Sequence, residues 1–404
     1  MTWFDIQKDD AHVKRERAKA RDLRQSAWWQ QQCQAGVCHY CKQTVGADAL
    51  TMDHVVPVAR GGGSTKGNIV PCCNDCNSKK SLKTPAEQIL DQLFPKKTLR
   101  IADPHGFCSG VARAIRMAES ALTACGHSCP RPAQQSEHIY CLNEIVHNQH
   151  VVAQLTAQGM KFVRRLEDIP EGARILFSAH GVSPAVRVAA ARRGLRVIDA
   201  TCPFVEKVHA EVRRFVATEA TIICIGHRNH EEVIGVAGEA PDRTIVVENA
   251  QEVEALDIPP EHPIAVVTQT TLGATQVDAV MDALRKRFTT IASPPHSDIC
   301  YATRDRQNAV RELAKRCDCV IVLGSANSSN SQRLAETARE GGGTAILISE
   351  MTDLDRHDWA PFRTLGITSG ASTPEAFLDE VVEALVTRFH FSLFIEPVHT
   401  VEGT

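Results

Sequence analysis

The sequence lacks any apolar run long enough to cross a membrane. A transmembrane helix needs roughly 18 or more largely apolar residues in succession, and no stretch of this 404-residue chain approaches that length. Its first residues, MTWFDIQKDDAHVKRERAKARD, are charged and unlike a signal peptide. We therefore predict no membrane partner and expect the protein in the cytoplasm.

Two motifs that mark common nucleotide sites are also missing. The chain has no GxxxxGK[ST] phosphate loop, which argues against ordinary nucleotide hydrolysis. No GxGxxG fingerprint follows an apolar strand, which argues against a bound nicotinamide. Cysteine, by contrast, is abundant, with 15 in the chain. In a cytoplasmic protein that number indicates metal or redox chemistry rather than a disulfide framework.

Charge is distributed unevenly along the chain. Residues 1–97 carry 15 Lys and Arg against 10 Asp and Glu, a net charge of +5. Because the whole chain is −3, the remainder carries about −8. We therefore predict a basic N-terminal unit and an acidic main body, with different partners.

From residue 98 onward, short apolar runs alternate with amphipathic helical patterns. Runs such as TLRIA, ARILFSA, LRVIDA, TIICIG, IAVVTQ, CVIVLG, TAILIS and TLGITS are typical of buried parallel strands. Between them lie helical patterns such as FVEKVHAEVRRFVAT. The alternation predicts an α/β fold with small parallel sheets.

Three cysteines recur at nearly equal spacing in this body. Cys108 and Cys202 are 94 positions apart, and Cys202 and Cys300 are 98 apart. Each lies just before an amphipathic helix, whose dipole favours a metal-binding thiolate. The spacing predicts three pseudo-threefold-related units around a shared centre, although a chance spacing of buried cysteines stays open at this point. The predicted units and the C-terminal tail span 98–201, 202–298, 299–386 and 387–404.

The loops that follow other apolar runs carry histidine, hydroxyl and amide side chains. A lone histidine is usually structural, but here three histidine-bearing loops accompany three hydroxyl- and amide-rich ones. Such donors are what a buried diphosphate needs. The candidates are His147, His180, His227, His230, Thr270, Ser328, Ser329, Asn330 and Ser372.

Eight long motifs follow one another between Leu99 and Glu383: DPHGFCSGVARAI, EIVHN, FSAHGVSP, DATCPFVEKVH, TQTTLG, DICYATRDRQNAV, GSANSSNSQRL and GITSGASTPE. In this order they closely resemble the motif series of the IspH (LytB) family, the 4-hydroxy-3-methylbut-2-enyl diphosphate reductases. The resemblance implies a central [4Fe–4S] cluster held by Cys108, Cys202 and Cys300, with one iron lacking a protein thiolate. That iron would bind the allylic hydroxyl oxygen of the substrate as a Lewis acid.

The resemblance also implies the reaction and the roles of the polar residues. Two electrons, from a carrier such as ferredoxin or flavodoxin, reduce the allylic diphosphate; water leaves, an allyl intermediate is protonated, and isopentenyl and dimethylallyl diphosphates form. Glu232 matches the acid that supplies the proton, and Thr270 matches the threonine beside the substrate hydroxyl. The residues that match the diphosphate contacts are His147, His180, His230, Ser328, Asn330 and Ser372, with Ser329 beside them.

One position departs from the family pattern. The family commonly reads His-Pro-Glu where this chain has His230-Glu231-Glu232. Glu231 could therefore compete with Glu232 as the acid, although Glu232 keeps the family's spacing to the histidine.

The N-terminal block, residues 1–97, contains two cysteine pairs. Cys38-x2-Cys41 and Cys73-x2-Cys76 have the spacing of structural zinc knuckles. Cys72 makes the register of the second pair ambiguous, but only Cys73 gives the x2 spacing to Cys76.

Within residues 38–80, DHVVP, a Gly-rich turn, GN and CxxCN resemble the HNH endonuclease motif, which implies a small zinc-stapled ββα-metal domain. By that resemblance Asp53 and Asn77 would bind a catalytic divalent ion, His54 would activate water and Asn68 would fix the loop. The charge of +5 fits DNA as a partner. Two alternatives stay open: an accessory zinc module that no longer cuts, or an HNH-type endonuclease carried on a degenerate α/β scaffold.

Overall fold

The chain forms two compact units, Met1–Lys96 and Lys97–Thr404, in the computed structural model. The structure describes residues 9–93, 96–127, 138–294 and 297–394. Within these ranges no helix is both long and apolar enough to cross a membrane. Residues 395–404 of the predicted C-terminal tail lie outside the described residues.

The N-terminal unit is built on a β-hairpin followed by a helix. Its helices are α1 (Asp10–Arg24), α2 (Ala27–Cys33), α3 (Asn74–Lys80) and α4 (Pro85–Leu93), and its strands are β1 (Leu50–His54) and β2 (Ile69–Cys73). The two strands pair antiparallel, with Leu50 opposite Cys73. Trp29, Met52 and Ile69 pack into a small core beside this hairpin. The ββα order of β1, β2 and α3 is the one that the HNH-like motif implies.

The larger unit alternates strands and helices along its whole length. Its helices are α5 (Ser109–His127), α6 (Gln149–Ala157), α7 (Pro184–Arg192), α8 (Pro203–Val216), α9 (Glu231–Ala237), α10 (Ala250–Glu254), α11 (Ala274–Arg287), α12 (Tyr301–Ala314), α13 (Ser329–Glu340) and α14 (Glu375–Thr387). Its strands are β3 (Lys97–Ile101), β4 (Ile139–Leu142), β5 (Met160–Val163), β6 (Arg174–Phe177), β7 (Arg196–Asp199), β8 (Thr221–Ile225), β9 (Thr244–Val247), β10 (Ile264–Thr268), β11 (Ile291–Ala292), β12 (Cys319–Leu323), β13 (Thr344–Ile348), β14 (Thr364–Ser369) and β15 (Phe391–Phe394).

These strands form three small sheets in which every pairing is parallel. The sheet orders are β5-β4-β6-β7, β9-β8-β10-β11 and β13-β12-β14-β3-β15. In the first two sheets, the second strand along the chain lies on one side of the first, and the third and fourth lie on its other side. The third sheet repeats this order with β13, β12 and β14, and β3 takes the fourth place. The predicted α/β fold with several small parallel sheets is confirmed.

The first strand of this unit, β3, pairs with strands that are far from it in the sequence. The spacing of the cysteines groups β3 with residues 98–201, yet β3 pairs with β14 and β15 and takes the fourth place in the third sheet. Leu99 is fully buried there. Part of the predicted tail is also structured, because β15 forms the edge of that sheet.

Candidate functional site

Loops that follow strands of all three sheets meet around one cavity. Its volume, counting the solvent-open space at its mouth, is about 800 Å³. The carboxyl ends of parallel strands are where α/β proteins build their sites. The predicted site residues that line it are Cys108, His147, His180, Cys202, His230, Glu232, Thr270, Cys300, Ser328, Ser329, Asn330 and Ser372. His227, the remaining histidine of the candidate loops, lines a neighbouring pocket instead.

Each of the three cysteines lies at the N-terminus of a helix, namely α5, α8 or α12. Backbone N–H groups of the first turn reach the sulfurs: Val111 N is 3.5 Å from Cys108 Sγ, and Thr303 N is 3.4 Å from Cys300 Sγ. The backbone of Gly110 lies close to the sulfurs of two of these cysteines. A Cβ at this position would stand 2.6 Å from Cys202 Sγ and 3.9 Å from Cys108 Sγ, so the site needs glycine here. N–H donors of this kind are typical of iron–sulfur ligation.

The environment of the thiols favours a bound metal over free thiolates. Burial raises the pKa of Cys202 and of Cys300, and the neighbouring cysteine sulfurs add to the increase. Bound iron would supply the positive charge that deprotonates such thiols. Arg306 adds a buried guanidinium, whose Nη2 donates to Gly106 O at 2.7 Å. No sequence motif pointed to Arg306, although it shares a buried face of α12 with Thr303, next to Cys300. The donor set therefore fits an iron–sulfur cluster.

Glu232 is buried, and within the described part of the chain its carboxyl group has hydrogen bonds from Thr270 alone. Thr270 N donates to Glu232 Oε1 at 2.6 Å, and Thr270 Oγ1 donates to Oε2 at 3.0 Å. Burial raises the pKa of Glu232 to about 7, although the two bonds from Thr270 oppose this increase. A carboxyl group with such a pKa can deliver a proton near neutral pH.

Glu231 contacts a different part of the site from Glu232. Its Oε2 lies 3.0 Å from His180 Nδ1, and its side chain is 22% exposed. Burial raises the pKa of Glu231 as well. The two neighbouring carboxyl groups thus have separate surroundings: Thr270 for Glu232 and a histidine for Glu231.

The three histidines of the cavity pack against one another. The His147 and His180 rings stack with centroids 4.1 Å apart, and the His230 ring meets both edge-on. The Glu232 N–H donates to His230 Nδ1 at 3.2 Å. Because burial lowers the pKa of His230 to about 2, this ring is neutral and carries its proton on Nε2. His230 can therefore donate a hydrogen bond to an anion.

His147 and His180 each have a carboxylate at Nδ1 instead. Glu144 Oε2 lies 3.2 Å from His147 Nδ1, and Glu231 Oε2 lies 3.0 Å from His180 Nδ1. Ligand atoms of His147, His180 and Glu231 lie within 4.8 Å of one another. The imidazole planes, however, are only 20° from parallel, so one ion could not lie in both ring planes. This geometry suits an anion lying across the two rings better than a single metal ion.

The N-terminus of α13 forms another side of the cavity. Ser328 caps the helix by accepting a hydrogen bond from Ser331 N at 3.3 Å, and Ser329 is the first helical residue. The buried Oδ1 and Nδ2 atoms of Asn330 have no hydrogen-bond partner among the described residues. Ser372 Oγ donates to His147 O at 3.1 Å. A helix N-terminus beside an unpartnered amide is a favourable place for phosphate oxygens.

The four predicted zinc ligands of the N-terminal unit converge. Sulfur atoms of Cys38, Cys41, Cys73 and Cys76 all lie within 4.8 Å of one another, and tetrahedral zinc would require about 3.8 Å. Although burial opposes it, N–H bonds led by that of Cys73 lower the pKa of Cys38 to about 6. Cys72 is instead buried in the core, where burial raises its pKa to about 11. The second knuckle therefore uses Cys73.

The HNH-like residues surround the same hairpin. Asp53 Oδ2 accepts hydrogen bonds from Tyr40 Oη at 2.6 Å and from the buried Lys80 Nζ at 2.7 Å. Asn77 Nδ2 donates to Thr51 Oγ1 at 3.3 Å. The predicted ion ligands, a carboxylate and an amide, are hard donors that suit Mg²⁺, and Lys80 would share the Asp53 carboxylate with such an ion.

Asn68 fixes the Gly-rich turn, as its motif implies. Its Oδ1 accepts from Val56 N at 2.8 Å, while its Nδ2 donates to Val56 O and Gly63 O. His54 Nε2 lies 2.8 Å from Ser64 Oγ, next to this turn.

Two family models match the chain in separate segments. The model described as LytB protein matches residues 99–386, and the model described as HNH endonuclease matches residues 38–92.

Curated relatives and solved structures match the larger unit. A 4-hydroxy-3-methylbut-2-enyl diphosphate reductase from Mycolicibacterium paratuberculosis is 44% identical, over 76% of this chain and 90% of the relative. The enzyme of the same name from Bifidobacterium longum is also 44% identical, over 77% and 91%. The structure of the E-1-hydroxy-2-methyl-but-2-enyl-4-diphosphate reductase from Plasmodium falciparum superposes with a TM-score of 0.69 at 38% identity, covering 74% of this chain and 92% of that one.

Proposed function

Because the chain belongs to the LytB family, we propose that its central cavity is the active site of a 4-hydroxy-3-methylbut-2-enyl diphosphate reductase. The reaction is a reductive dehydroxylation in isoprenoid precursor synthesis, which removes the allylic hydroxyl as water and yields isopentenyl and dimethylallyl diphosphates. The observation that carries this proposal is the convergence of three cysteines, three histidines and the Glu232–Thr270 pair on one cavity.

The cysteines form the redox end of this site. Cys108, Cys202 and Cys300 would hold the [4Fe–4S] cluster that the family implies, because their thiols line the cavity from three helix N-termini. Such a cluster would pass two electrons from an external donor to the substrate, one at a time, and would have one iron without a protein thiolate. The electrons must come from outside the chain, and a ferredoxin or flavodoxin is the proposed donor.

The opposite set of side chains would hold the diphosphate. His230 offers an Nε2–H, and Asn330 offers amide atoms with no other described partner. Ser328, Ser329 and Ser372 offer hydroxyl groups, and the N-terminus of α13 favours negative charge. His147 and His180, backed by Glu144 and Glu231, complete the set.

Glu232 would supply the proton that the departing hydroxyl needs to leave as water. Its raised pKa keeps a large protonated fraction at neutral pH. Thr270 would position both the Glu232 carboxyl group and the substrate hydroxyl, because its N–H and its hydroxyl already contact the carboxyl oxygens. Glu231 is less suited to this role, since its carboxylate contacts His180.

Anaerobic purification followed by turnover tests this function. We expect a brown protein that absorbs near 400 nm, contains roughly four cluster irons per chain and converts the allylic diphosphate when reduced methyl viologen supplies electrons. A colourless, iron-free protein after cluster reconstitution would contradict the proposal, as would a loaded protein without turnover.

The N-terminal unit has a second proposed function, metal-dependent DNA cleavage, with Cys38, Cys41, Cys73 and Cys76 holding a structural Zn²⁺. One arrangement favours it: Ser64 Oγ donates its proton to Glu16 O at 2.6 Å, so it must accept from His54 Nε2–H. The His54 lone pair is then on Nδ1. Because burial lowers the pKa of His54 and so favours the neutral ring, Nδ1 is available as a base. The excess of basic residues in 1–97 favours DNA.

Plasmid nicking tests this second function. We expect the full-length, zinc-loaded chain to nick supercoiled plasmid with Mg²⁺ or Mn²⁺, and His54→Ala to lower the rate at least about 100-fold, as loss of a general base does. Zinc content, measured on both proteins, should stay at one ion per N-terminal unit. Equal nicking by His54→Ala would identify a contaminating nuclease.

The compartment is also a proposal. The two proposed metal-binding sets both need reduced cysteines as ligands. Reduced thiols persist in a reducing compartment, which supports the cytoplasm.

A further inference from the structure

Glu231 occupies the position where the family commonly has proline, and it is the first residue of α9. A proline there would have no carboxylate to offer His180. In this chain the Glu231 carboxylate reaches His180 Nδ1 across 51 positions of sequence. His180 lines the cavity. Because the hydrogen bond at Nδ1 decides which ring nitrogen carries a proton, Glu231 affects whether Nε2 can donate a hydrogen bond to a ligand.

We propose that Glu231 is a positioning residue for the diphosphate: it supplies a proton to His180 Nδ1 when the diphosphate binds, so that His180 holds the diphosphate as an imidazolium through Nε2–H. The inference rests on the proposed function, because it takes the diphosphate to lie against His180.

Proton balance within the pair supports this role. Burial favours the neutral forms of both groups in the free cavity, because it raises the pKa of Glu231 and lowers that of His180. One proton then lies on the Glu231 carboxyl and one on His180 Nε2. When an anion reaches Nε2–H, the carboxyl proton can move across the 3.0 Å contact to His180 Nδ1. The result is a carboxylate and an imidazolium, and no proton is taken from solvent.

The surroundings of His180 explain why a carboxylate is needed. His147 stacks on its ring at 4.1 Å, so protonation of both rings brings two positive charges together. His230 adds no charge, because it is neutral. Ser178 Oγ also lies 3.4 Å from His180 Nδ1.

The stacked rings are matched by two carboxylates. His147 has its own partner in Glu144, whose carboxylate also accepts from Asn327. Arg164 acts on Glu231 from outside the pair, where its charge favours the ionised carboxylate. Two imidazoles thus face two carboxyl groups: Glu231 contacts His180 directly, and the charge of Glu144 also favours the protonated form of His180.

The role predicts a characteristic pH dependence. At lower pH the Glu231–His180 pair holds both of its protons, so His180 can bind the diphosphate as an imidazolium. At higher pH the pair loses a proton, the carboxylate retains Nδ1–H, and the bare Nε2 lone pair faces the phosphate. In Glu231→Gln the amide can donate to Nδ1, which leaves a neutral Nε2–H at every pH. The variant therefore binds more weakly at low pH but loses less affinity as the pH rises.

Steady-state kinetics of the cluster-loaded chain between pH 6 and 9 test the proposal. For Glu231→Gln and for Glu231→Pro, we expect KM for the allylic diphosphate to rise about tenfold at pH 6.5, with kcat within about twofold of the wild type. The ratio of variant to wild-type KM should fall towards one by pH 9. Glu375→Gln is the matched control, because Glu375 is also the first residue of its helix but is exposed and does not line the cavity.

Binding of inorganic diphosphate, measured by calorimetry over the same pH range, separates this inference from the proposed function. Absence of turnover in the wild type contradicts the proposed function, whereas the pH-dependent affinity ratio for inorganic diphosphate still reports on Glu231. A ratio that is constant with pH would show a purely structural role and overturn the inference, as would a ratio of one throughout. A large loss of kcat at unchanged KM would instead make Glu231 the proton donor.

Discussion

Glu232→Gln is expected to lower kcat by about 10² to 10⁴, the usual contribution of a positioned general acid. Glutamine has the same shape and can still accept the hydrogen bond from Thr270 N, so the local structure should persist. It has no carboxyl proton to deliver to the departing hydroxyl. KM and the absorption near 400 nm should stay close to the wild-type values, which assigns the loss to the proton rather than to binding or to the cluster.

The pH profile provides a second test of the same residue. Burial raises the pKa of Glu232 to about 7, and in the proposed mechanism the protonated form is the active one. Wild-type kcat should therefore be highest below pH 7 and fall about tenfold for each pH unit well above it. Glu232→Gln should lack this decline. If Glu231→Gln loses kcat while Glu232→Gln retains it, the roles of the two carboxyl groups are reversed.

Cys300→Ser should abolish turnover, with a decrease of at least about 10³-fold, together with loss of the absorption near 400 nm. The proposed cluster would have three protein ligands, and a serine hydroxyl is a harder and poorer ligand for iron than a thiolate. The Cys300 sulfur is also held in place, because Thr303 N and Oγ1 both contact it.

Cys317→Ala is the matched control for this loss. Cys317 is a half-buried cysteine of the same unit that does not line the cavity. Iron content and turnover should stay near those of the wild type. Iron bound at the wild-type level in Cys300→Ser, with turnover intact, would remove Cys300 from the ligand set.

Long apolar strands were predictable from the sequence, whereas several short strands were not. The runs that became β8, β10, β12 and β14 are five or six residues long and almost wholly buried, and all but β14 are nearly all apolar. The strands that were missed include β5, β9, β11 and β15, which lie at sheet edges. An edge strand is covered on fewer sides, so its sequence needs fewer apolar residues. In β9, for example, Ile245 remains exposed.

The candidate site was predictable where its residues recur in motifs, and unpredictable where contacts depend on tertiary structure. The cysteines and histidines follow strand ends, and the shared topology of parallel sheets brings such loops together. The contact between Glu231 and His180 joins two different sheets, which no local pattern encodes. The buried position of Arg306 and the fourth place of β3 in the third sheet likewise depend on pairings between distant segments. The residue roles themselves stay predictions.

The place of β3 has a consequence for the order of events during synthesis. Ribosomes release the N-terminal part of a chain first, so the segment that carries Cys108 emerges long before its neighbours in the third sheet. That segment is anchored by residues near the other end of the chain: Ala102 N donates to Ile367 O at 2.8 Å, and Cys108 N donates to Ala371 O at 3.0 Å. A nascent chain that stops before residue 371 lacks this anchor for its first thiol. Cluster insertion should therefore be a late, post-translational step.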